Sequence, residues 1–259
     1  METSNKRQVL DKIFKKLKKE NPKNSVLKFN NNMIKSVSGS KFRNQFDVTK
    51  CDTPSLLPKS MVNEGYFIVH LGGGEHAFVK GEGYHKFEQI KSAKEWIIKK
   101  SVIDDISESE AQSTSIVFNN KIIHHFLFGR TDVDILAHPA RRARVSYTFK
   151  VDGVPLYAKA LQVEMDGIYE STSKETIATI EAKNKDNLYF EIRQLFSAMK
   201  YCELNIPKNY KIRLLFLLRV KKNIFDLYEY EFKDKKELTS ISFVKAKRYQ
   251  TKIITVNST

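Results

Sequence analysis

Two short segments in which polar and apolar residues alternate place the strongest constraint on how this chain can fold. Residues 162–169 and 179–184 each read as a strand, and the polar stretch 171–175 reads as the turn that joins them. Side chains alternate between the two faces of a strand, so every second residue lies on the same side. The pattern therefore predicts two adjacent strands whose polar side chains are sorted by face.

The charged residues of each segment fall on a single face. Glu164 and Asp166 share a face of the first strand, and Glu181 and Lys183 share a face of the second. If the strands pair, three carboxylates and a lysine meet at one end of a sheet. Carboxylates gathered in this way repel one another unless a divalent cation lies between them. The segments therefore predict a magnesium site suited to phosphodiester hydrolysis.

The alternative is that these four residues form the solvated face of an ordinary hairpin, because alternating charge is common on exposed sheets. The residues that precede the charged positions of the two strands are mostly apolar. They are residues 156–161 for the first strand and residues 177–180 for the second. Apolar runs of this kind are typical of buried strands. Charged residues at the ends of buried strands favour a functional site over a solvated hairpin.

The chain contains an aspartate, then a Glu-x-Lys segment on the next strand, then an amphipathic helix. This order of motifs resembles that of the PD-(D/E)XK nuclease superfamily. The superfamily includes type II restriction endonucleases, Holliday junction resolvases and RecB-type nucleases. The matching residues are Asp166, Glu181 and Lys183, and the resemblance covers residues 141–220. Met165 stands where the superfamily motif has a proline, which many members also lack.

The resemblance implies a site chemistry. Asp166 and Glu181 would bind Mg²⁺, the backbone carbonyl of Ala182 would add a ligand, and Glu164 would be an extra one. Lys183 would orient or deprotonate the attacking water.

The resemblance also implies a fold. We expect an α/β (α+β) protein with a restriction-endonuclease-like core, in which helices flank a mixed central sheet, and with an N-terminal recognition region. The helix after the second strand carries Gln194 and Tyr201, which lie on one helical face and would support the site. They are similar to the Gln-x-x-x-Tyr element of RecB-type members, although their spacing is longer.

The charge balance indicates the class of partner. The net charge is +15 and the pI is near 9.6. An excess of this size favours a polyanion through phosphate contacts and counterion release. Compositional drift toward lysine is the alternative, but drift would also raise the glutamate content. We therefore expect double-stranded DNA as the partner.

Hydropathy and cysteine content indicate the compartment. No apolar run has the length needed to cross a bilayer, and the N-terminal residues lack the apolar stretch of a secretory signal. The two cysteines, Cys51 and Cys202, offer neither a metal-binding spacing nor a disulfide framework. These features predict a cytoplasmic protein with no membrane contact.

Basic residues from three parts of the chain are candidates for DNA contact. They are Arg141, Arg142 and Arg144, then Lys80 and His85, and finally Lys245 and Lys247. The arginines suit phosphate or guanine, and a solvated basic linker explains them equally well. Residues 75–87, which include Lys80 and His85, are rich in glycine, histidine and aromatic residues, and a strand pair with a flexible turn is the alternative there.

Periodicity elsewhere predicts the remaining elements. Helices are expected over residues 7–19, 90–100 and 186–203, and strands over residues 65–71, 145–151, 212–220, 225–232 and 241–248. The buried stripe of the third helix is expected to consist of Leu188, Ile192, Leu195, Phe196, Met199 and Cys202. Within residues 114–130 we interpret the adjacent His124 and His125 as strand residues. On a strand they would point to opposite faces, so a zinc site there is disfavoured.

The size of the chain suggests its organisation and role. Residues 1–140 are predicted to form an N-terminal region for DNA recognition, and residues 141–259 a catalytic core. The first hypothesis is a homodimeric type II restriction endonuclease that cuts both strands of a specific site, with a cognate DNA methyltransferase in the same system. The alternatives are a structure-specific repair or recombination nuclease and a non-catalytic DNA-binding protein.

Overall fold

A seven-stranded mixed sheet forms the centre of the protein. The computed structural model describes residues 2–39, 41–99, 109–184 and 188–253. Its helices are α1 (Glu2–Glu20), α2 (Asn31–Ser38), α3 (Phe46–Thr49), α4 (Lys59–Asn63), α5 (Glu110–Asn119), α6 (Ile122–Phe128) and α7 (Ile192–Asn205). The strands before the predicted core are β1 (Val26–Asn30), β2 (Tyr66–Gly72), β3 (Glu75–Lys80), β4 (Tyr84–Lys86), β5 (Ala93–Ile98) and β6 (Leu136–His138). Those within it are β7 (Arg141–Val151), β8 (Val154–Met165), β9 (Gly167–Ser171), β10 (Thr176–Lys183), β11 (Tyr189–Glu191), β12 (Lys211–Lys221), β13 (Ile224–Phe232) and β14 (Ile241–Ile253).

The strand order of the central sheet is β5-β14-β13-β12-β10-β9-β6. The pairs β10–β12 and β14–β5 are parallel, and the other pairs are antiparallel. Parallel neighbours need a crossover connection, which is usually a helix, and α7 is that connection between β10 and β12. The expected mixed central sheet flanked by helices is therefore confirmed.

Both faces of the central strand β12 are buried, which explains why this strand is such a continuous apolar run. Leu214, Phe216 and Leu218 pack in the core that contains α7. Leu215 and Leu217 pack in the second core, beneath α5 and α6. A strand covered on both faces has no solvated side to fill with polar residues.

The N-terminal part forms its own small sheet, β1-β3-β2, covered by α1. The predicted helix over residues 7–19 lies within α1, and its apolar stripe, which includes Leu10, Ile13 and Phe14, is buried. The predicted strand 65–71 corresponds to β2, which packs against β8. This contact joins the N-terminal sheet to the ribbon formed by β7 and β8.

The predicted helix over residues 90–100 is wrong, because residues 93–98 form the edge strand β5. Residue 100 of that prediction lies outside the described residues. Trp96 is half-buried and Ile98 is buried, whereas the intervening Ile97 is exposed. This is a period of two, and it is set by parallel pairing with β14 rather than by local propensity.

The strand interpretation of His124 and His125 is also wrong, because both residues lie in α6. Ile122, Ile123, Phe126 and Leu127 are buried, and their spacing is that of a helix face. Four apolar residues in a short run are ambiguous between strand and helix when only the sequence is available.

The helix predicted over residues 186–203 begins later, at Ile192. Residues 186 and 187 of that prediction lie outside the described residues, and Leu188, expected in the buried stripe, is 66% exposed. Residues 189–191 are extended because they pair with β4, a contact from a distant part of the chain. The stripe from Ile192 to Cys202 is buried as expected.

The predicted strands 145–151, 212–220, 225–232 and 241–248 lie within β7, β12, β13 and β14. Both edge strands of the central sheet, β5 and β6, precede residue 141, so residues 1–140 contribute to the sheet as well as to the N-terminal unit. No helix in the described parts of the chain combines the length and apolar character needed to cross a bilayer.

Candidate active site

Asp166 lies at a corner where the chain passes from one sheet to another. The predicted single strand over residues 162–169 is wrong, since β8 ends at Met165 and β9 begins at Gly167. β8 pairs with β7 in a separate ribbon, whereas β9 pairs with β10 in the central sheet. Glu164 and Asp166 therefore do not share a face of one continuous strand.

Two backbone contacts fix Asp166 beside the end of β10. Its amide N–H donates to the carbonyl of Ile180 at 3.0 Å. Its carboxylate oxygen Oδ2 accepts the amide N–H of Ala182 at 2.8 Å. Ala182 is the residue between Glu181 and Lys183, so the aspartate and the Glu-x-Lys segment meet as the sequence predicts.

Glu181 and Lys183 lie on the α7 side of β10. Lys183 Nζ donates to Glu181 Oε1 at 2.8 Å, and Gln194 Nε2 of α7 donates to the same oxygen at 2.6 Å. Glu110, at the start of α5, lies 3.3 Å from Lys183 Nζ. The predicted support from Gln194 is thus a direct hydrogen bond to Glu181.

Burial makes ionisation of the two carboxylates unfavourable. Desolvation raises the pKa of Glu181 to about 7; the positive charge of Lys183 opposes this rise and the charge of Asp166 adds to it. Desolvation also raises the pKa of Asp166, against the lowering effect of the Ala182 amide. Burial by itself would lower the pKa of Lys183, but the charges of Glu181, Glu110 and Asp166 outweigh it and raise that pKa. The carboxylates would therefore be stabilised by a further positive charge.

The donor atoms fit a magnesium ion. Among the described residues, no three His, Cys, Asp or Glu side chains are grouped so that they could hold one metal ion. Mg²⁺ does not need three, because it prefers oxygen ligands, keeps several waters and is commonly bound by one or two carboxylates. Asp166 and Glu181 supply two carboxylates, and the Ala182 carbonyl is a neighbouring backbone oxygen.

The predicted extra ligand, Glu164, has other partners. Its side chain is 53% exposed, and its Oε1 forms an ion pair with Arg142 Nε at 2.7 Å and accepts a hydrogen bond from Gln162 Nε2 at 2.8 Å. Glu164 lies on the wall of the same cleft as Asp166. Its charge contributes to the raised pKa of Asp166.

These residues line a cleft of about 750 Å³. Asp166, Glu181, Lys183 and Gln194 form part of its wall, together with Arg142, Arg144 and Arg193. The N-terminal unit forms much of the rest through Asn44, Phe46, Lys50 and the turn at residues 72–74. The wall carries both signs of charge: its cationic residues are Lys50, Arg142, Arg144, Lys183 and Arg193, and its carboxylates are Asp47, Asp52, Glu75, Glu110, Glu164, Asp166 and Glu181. The cationic residues are available to a phosphate group, and the carboxylates to a divalent cation.

Phe46 is an exposed aromatic side chain on this wall, and sequence analysis did not identify it. Its ring is 41% exposed and packs on His70, with centroids 4.8 Å apart. His70 is buried and its Nδ1 lies 3.1 Å from Nδ1 of His76, whose Nε2 lies 3.0 Å from Asn31 Oδ1. Burial lowers the pKa of both histidines, so they form a neutral, fixed support beneath the ring.

Arg193 is a second cleft residue that sequence analysis missed. Its Nε and Nη2 donate to the two carboxylate oxygens of Glu191 at 2.8 and 3.0 Å. Glu191 is buried, and Arg193 is 18% exposed. In the sequence, the only sign that Arg193 would lie at the site was its position next to Gln194. Its partner Glu191 is positioned by the pairing of β11 with β4, a contact that the local sequence does not indicate.

The structure separates the other predicted residues. Arg142 and Arg144 line the cleft, whereas the guanidinium of Arg141 lies over the ring of Tyr201, 5.5 Å from its centroid. Tyr201 is seven residues beyond Gln194, about 10 Å along the helix, and it lies outside the cleft wall.

The remaining four candidates for DNA contact also lie away from the cleft. Lys80 is exposed at the end of β3. His85 packs against Phe190 and Tyr230 and lies 3.0 Å from Glu88. Lys245 and Lys247 line a different cavity. The structure therefore brings together the carboxylates, Lys183, Gln194 and two of the three arginines.

Comparison with protein families divides the chain at a different point from the sequence prediction. Residues 7–78 match a domain of unknown function (DUF6996), and residues 79–250 match a second domain of unknown function (DUF6997). The second match covers well over half of the chain. The protein belongs to the DUF6997 family. No curated protein and no solved structure matches the chain.

The DUF6997 match begins inside β3 and extends through most of β14. It includes Asp166, Glu181, Lys183 and Gln194, whereas Phe46 and His70 belong to the DUF6996 match. The cleft is therefore lined by residues from both matched regions.

Proposed function

We propose that the protein is a Mg²⁺-dependent endodeoxyribonuclease with a restriction-endonuclease-like, PD-(D/E)XK-type core. The observation that carries this proposal is the hydrogen bond from the Ala182 amide to the Asp166 carboxylate. It brings an aspartate from one strand corner against a Glu-x-Lys segment on the next strand. The net charge of +15 and the arginines of the cleft support DNA as the substrate.

Asp166, Glu181 and the Ala182 carbonyl are the groups that would hold the metal. Bound Mg²⁺ supplies positive charge beside the scissile phosphate and makes water more acidic. The raised pKa values of the two carboxylates are consistent with this role, because a cation would favour their ionised forms.

Lys183 is protonated in the described arrangement, since its neighbours raise its pKa. Its ammonium group can donate a hydrogen bond to a water molecule or to a phosphate oxygen, and it stabilises negative charge that develops on the phosphate. This favours the orienting role of Lys183 over the deprotonating one. Gln194 holds Glu181 in position through its hydrogen bond. Arg142 and Arg144 line the cleft, and in this proposal they contact the DNA backbone.

Within this chemistry we propose a type II restriction enzyme that acts as a homodimer and is accompanied by a cognate DNA methyltransferase. The contribution of the N-terminal unit to the cleft wall supports a recognition role for it, because specificity requires contacts beyond the reacting phosphate. Cleavage of long duplex DNA into discrete fragments is the expected behaviour.

The direct test is cleavage of plasmid and linear duplex DNA with Mg²⁺. We expect cleavage by the wild type, none with EDTA, and a loss of about 10²-fold or more in Asp166→Asn, which removes a metal-binding charge while keeping the side-chain shape. Glu231→Gln is the matched control, because Glu231 is an exposed carboxylate on β13 outside the cleft.

A second readout of the same variants does not depend on activity. Mg²⁺ should raise the thermal unfolding midpoint of the wild type and of Glu231→Gln but not that of Asp166→Asn, because ligands that bind the folded state stabilise it. Cleavage that persists with EDTA and in Asp166→Asn would contradict the metal site. DNA binding with neither cleavage nor a Mg²⁺-dependent shift would indicate a non-catalytic DNA-binding protein.

One observation favours the second candidate, a structure-specific repair or recombination nuclease. Phe46 presents an exposed ring to the cleft on a buried support. Aromatic side chains of this kind stack on unpaired bases, at about 1–3 kcal/mol per base.

The Phe46→Ala variant distinguishes the two candidates. If an unpaired base stacks on Phe46, the variant should cleave flap or junction DNA roughly tenfold less efficiently, while cleavage of fully paired duplex changes little. The comparison uses kcat/KM on both substrates. Val62→Ala, at an exposed apolar residue outside the cleft, serves as the control. Equal effects on both substrates would argue against a base platform.

A further inference from the structure

A second cavity, of about 490 Å³, lies on the other side of the central sheet. Lys245 and Lys247 line it from β14, Lys94 from β5 and His125 from α6. On β14, Lys245 and Lys247 lie on the same face as Tyr249, because the three residues are spaced two apart. Tyr249 packs in the core beneath α5 and α6. Glu181 and Lys183 face α7 instead, so the two cavities belong to opposite faces of the sheet.

The histidine in this cavity is neutral. Lys94 Nζ donates to His125 Nε2 at 2.9 Å. Nε2 is therefore an acceptor, and the proton lies on Nδ1, which donates to the Tyr249 hydroxyl at 2.8 Å. Burial and then the charges of Lys94, Lys247 and Lys245 lower the pKa of His125 to about 4. All three lysines are thus close enough to lower the pKa of the His125 imidazole.

The positive charge of the cavity is poorly compensated within the described residues. Glu229 lies 3.7 Å from Lys245, but it also accepts two hydrogen bonds from Arg213. No carboxylate oxygen in the described part of the chain lies within 4.0 Å of Lys94 or Lys247. Burial lowers the pKa of Lys247, and the positive charge of Lys94 lowers it further.

We propose that this cavity binds a phosphate-bearing anion. Three lysines line one concave space, although Lys245 Nζ also donates to the Phe126 carbonyl. Lysine is a common point-charge ligand for phosphate. The volume lies within the range of small-ligand sites. A nucleotide and a nucleic-acid backbone present the same phosphate chemistry to the lysines, and the test below separates these two sources. The site is independent of the carboxylate centre.

The chain contains its own reporter for this site. Trp96 is its sole tryptophan. The Trp96 ring centroid lies 4.9 Å from that of His125 and 5.2 Å from Lys94 Nζ. An anion that draws Lys94 away from His125 would change the surroundings of the indole, so tryptophan emission reports occupancy of the cavity.

The test is titration of the full-length protein with inorganic pyrophosphate at constant ionic strength, followed by Trp96 emission and by calorimetry. We expect saturable binding to the wild type, weakened about three- to tenfold in Lys94→Gln and in Lys247→Gln, as for loss of one partly screened charge. Lys252→Gln is the matched control, because Lys252 lies on the same strand but is 57% exposed and pairs with Glu95. Its affinity for pyrophosphate should equal that of the wild type.

Parallel titrations with ATP and with a short DNA duplex distinguish the sources of the phosphate. Binding of pyrophosphate and ATP that depends on Lys94 and Lys247 indicates a small ligand. Duplex binding that weakens in the same two variants, without binding of the small anions, indicates a nucleic-acid backbone. The proposal is overturned if calorimetry detects no binding of any probe, or if the two variants bind all of them as the wild type does. Neither outcome would affect the Mg²⁺ and Asp166→Asn tests of the nuclease.

Discussion

Replacing Lys183 by alanine should reduce DNA cleavage by about 10²–10³-fold, which is the usual effect of removing one donor that stabilises a developing charge. Lys183 is the cation hydrogen-bonded to Glu181, and it lies on the cleft wall with Asp166. DNA binding should remain close to that of the wild type, because the arginines of the cleft are unchanged. The measurements are single-turnover cleavage with Mg²⁺ and anisotropy of labelled DNA with EDTA.

The residual activity of Lys183→Ala should shift toward higher pH. The Lys183 charge lowers the pKa of Glu181, so its removal raises that pKa further above the ordinary value. A carboxyl group with a higher pKa is ionised, and available to a cation, only at higher pH. Lys174→Ala, at an exposed lysine in the turn between β9 and β10, is the control and should behave as the wild type. Equal losses of DNA binding and of cleavage would contradict the role proposed for Lys183.

Gly72→Ala should destabilise the protein by about 3–5 kcal/mol, through backbone strain and overpacking together. Gly72 has a φ of +88°, and a Cβ at this position would lie 2.0 Å from the backbone carbonyl oxygen of Lys159. The clash is with backbone, so no side chain can rotate to relieve it. Urea unfolding should show a lower midpoint with an unchanged slope.

Gly73→Ala is the matched control for this prediction. Gly73 also has a positive φ, +60°, but a Cβ there would meet no atom within 4 Å. Only the conformational cost should remain, about 1 kcal/mol. If the two variants are equally stable, the β2–β3 turn does not pack on β8 as described.

The close approach at Gly72 also affects the cleft. Residues 72–74 lie on the cleft wall, and Gly72 approaches the β8 backbone at Lys159 and Leu161. Ala160, between these two residues, has a positive φ at an irregularity in the β7–β8 pairing. The Gly72→Ala variant should therefore displace the N-terminal part of the wall relative to Asp166. In the Gly72→Ala protein that remains folded, we expect DNA cleavage to decrease more than Mg²⁺ binding does.

Local periodicity was sufficient to predict the strand and the helix that contain Glu181, Lys183 and Gln194. The alternation in β10 predicted that Glu181 and Lys183 share a face, and the apolar runs predicted β12 and its neighbours. Gln194 was expected to support the site, and it is hydrogen-bonded to Glu181. These predictions depend on side-chain direction within one strand or helix, which the local sequence fixes.

Predictions that depended on pairing with distant segments were less successful. Residues 93–98 form a strand because β14 pairs with them, and residues 189–191 are extended because β4 pairs with them. The corner at Asp166 had one local signal, the glycine that follows it. Nothing in the sequence indicated that β8 belongs to a separate ribbon and that the chain enters the central sheet only after Asp166.

The sequence by itself determined the net charge, the apolar strands and the residues that form a Glu-x-Lys segment on one strand face, because each follows from composition or from a short repeat. Only the tertiary structure decided that Asp166 contacts that segment, that Phe46 and His70 complete the cleft, and that Lys245 and Lys247 lie on the opposite face of the sheet. The physical reason is that these contacts join residues far apart in the chain, and long-range packing, rather than local conformational preference, selects which of them form.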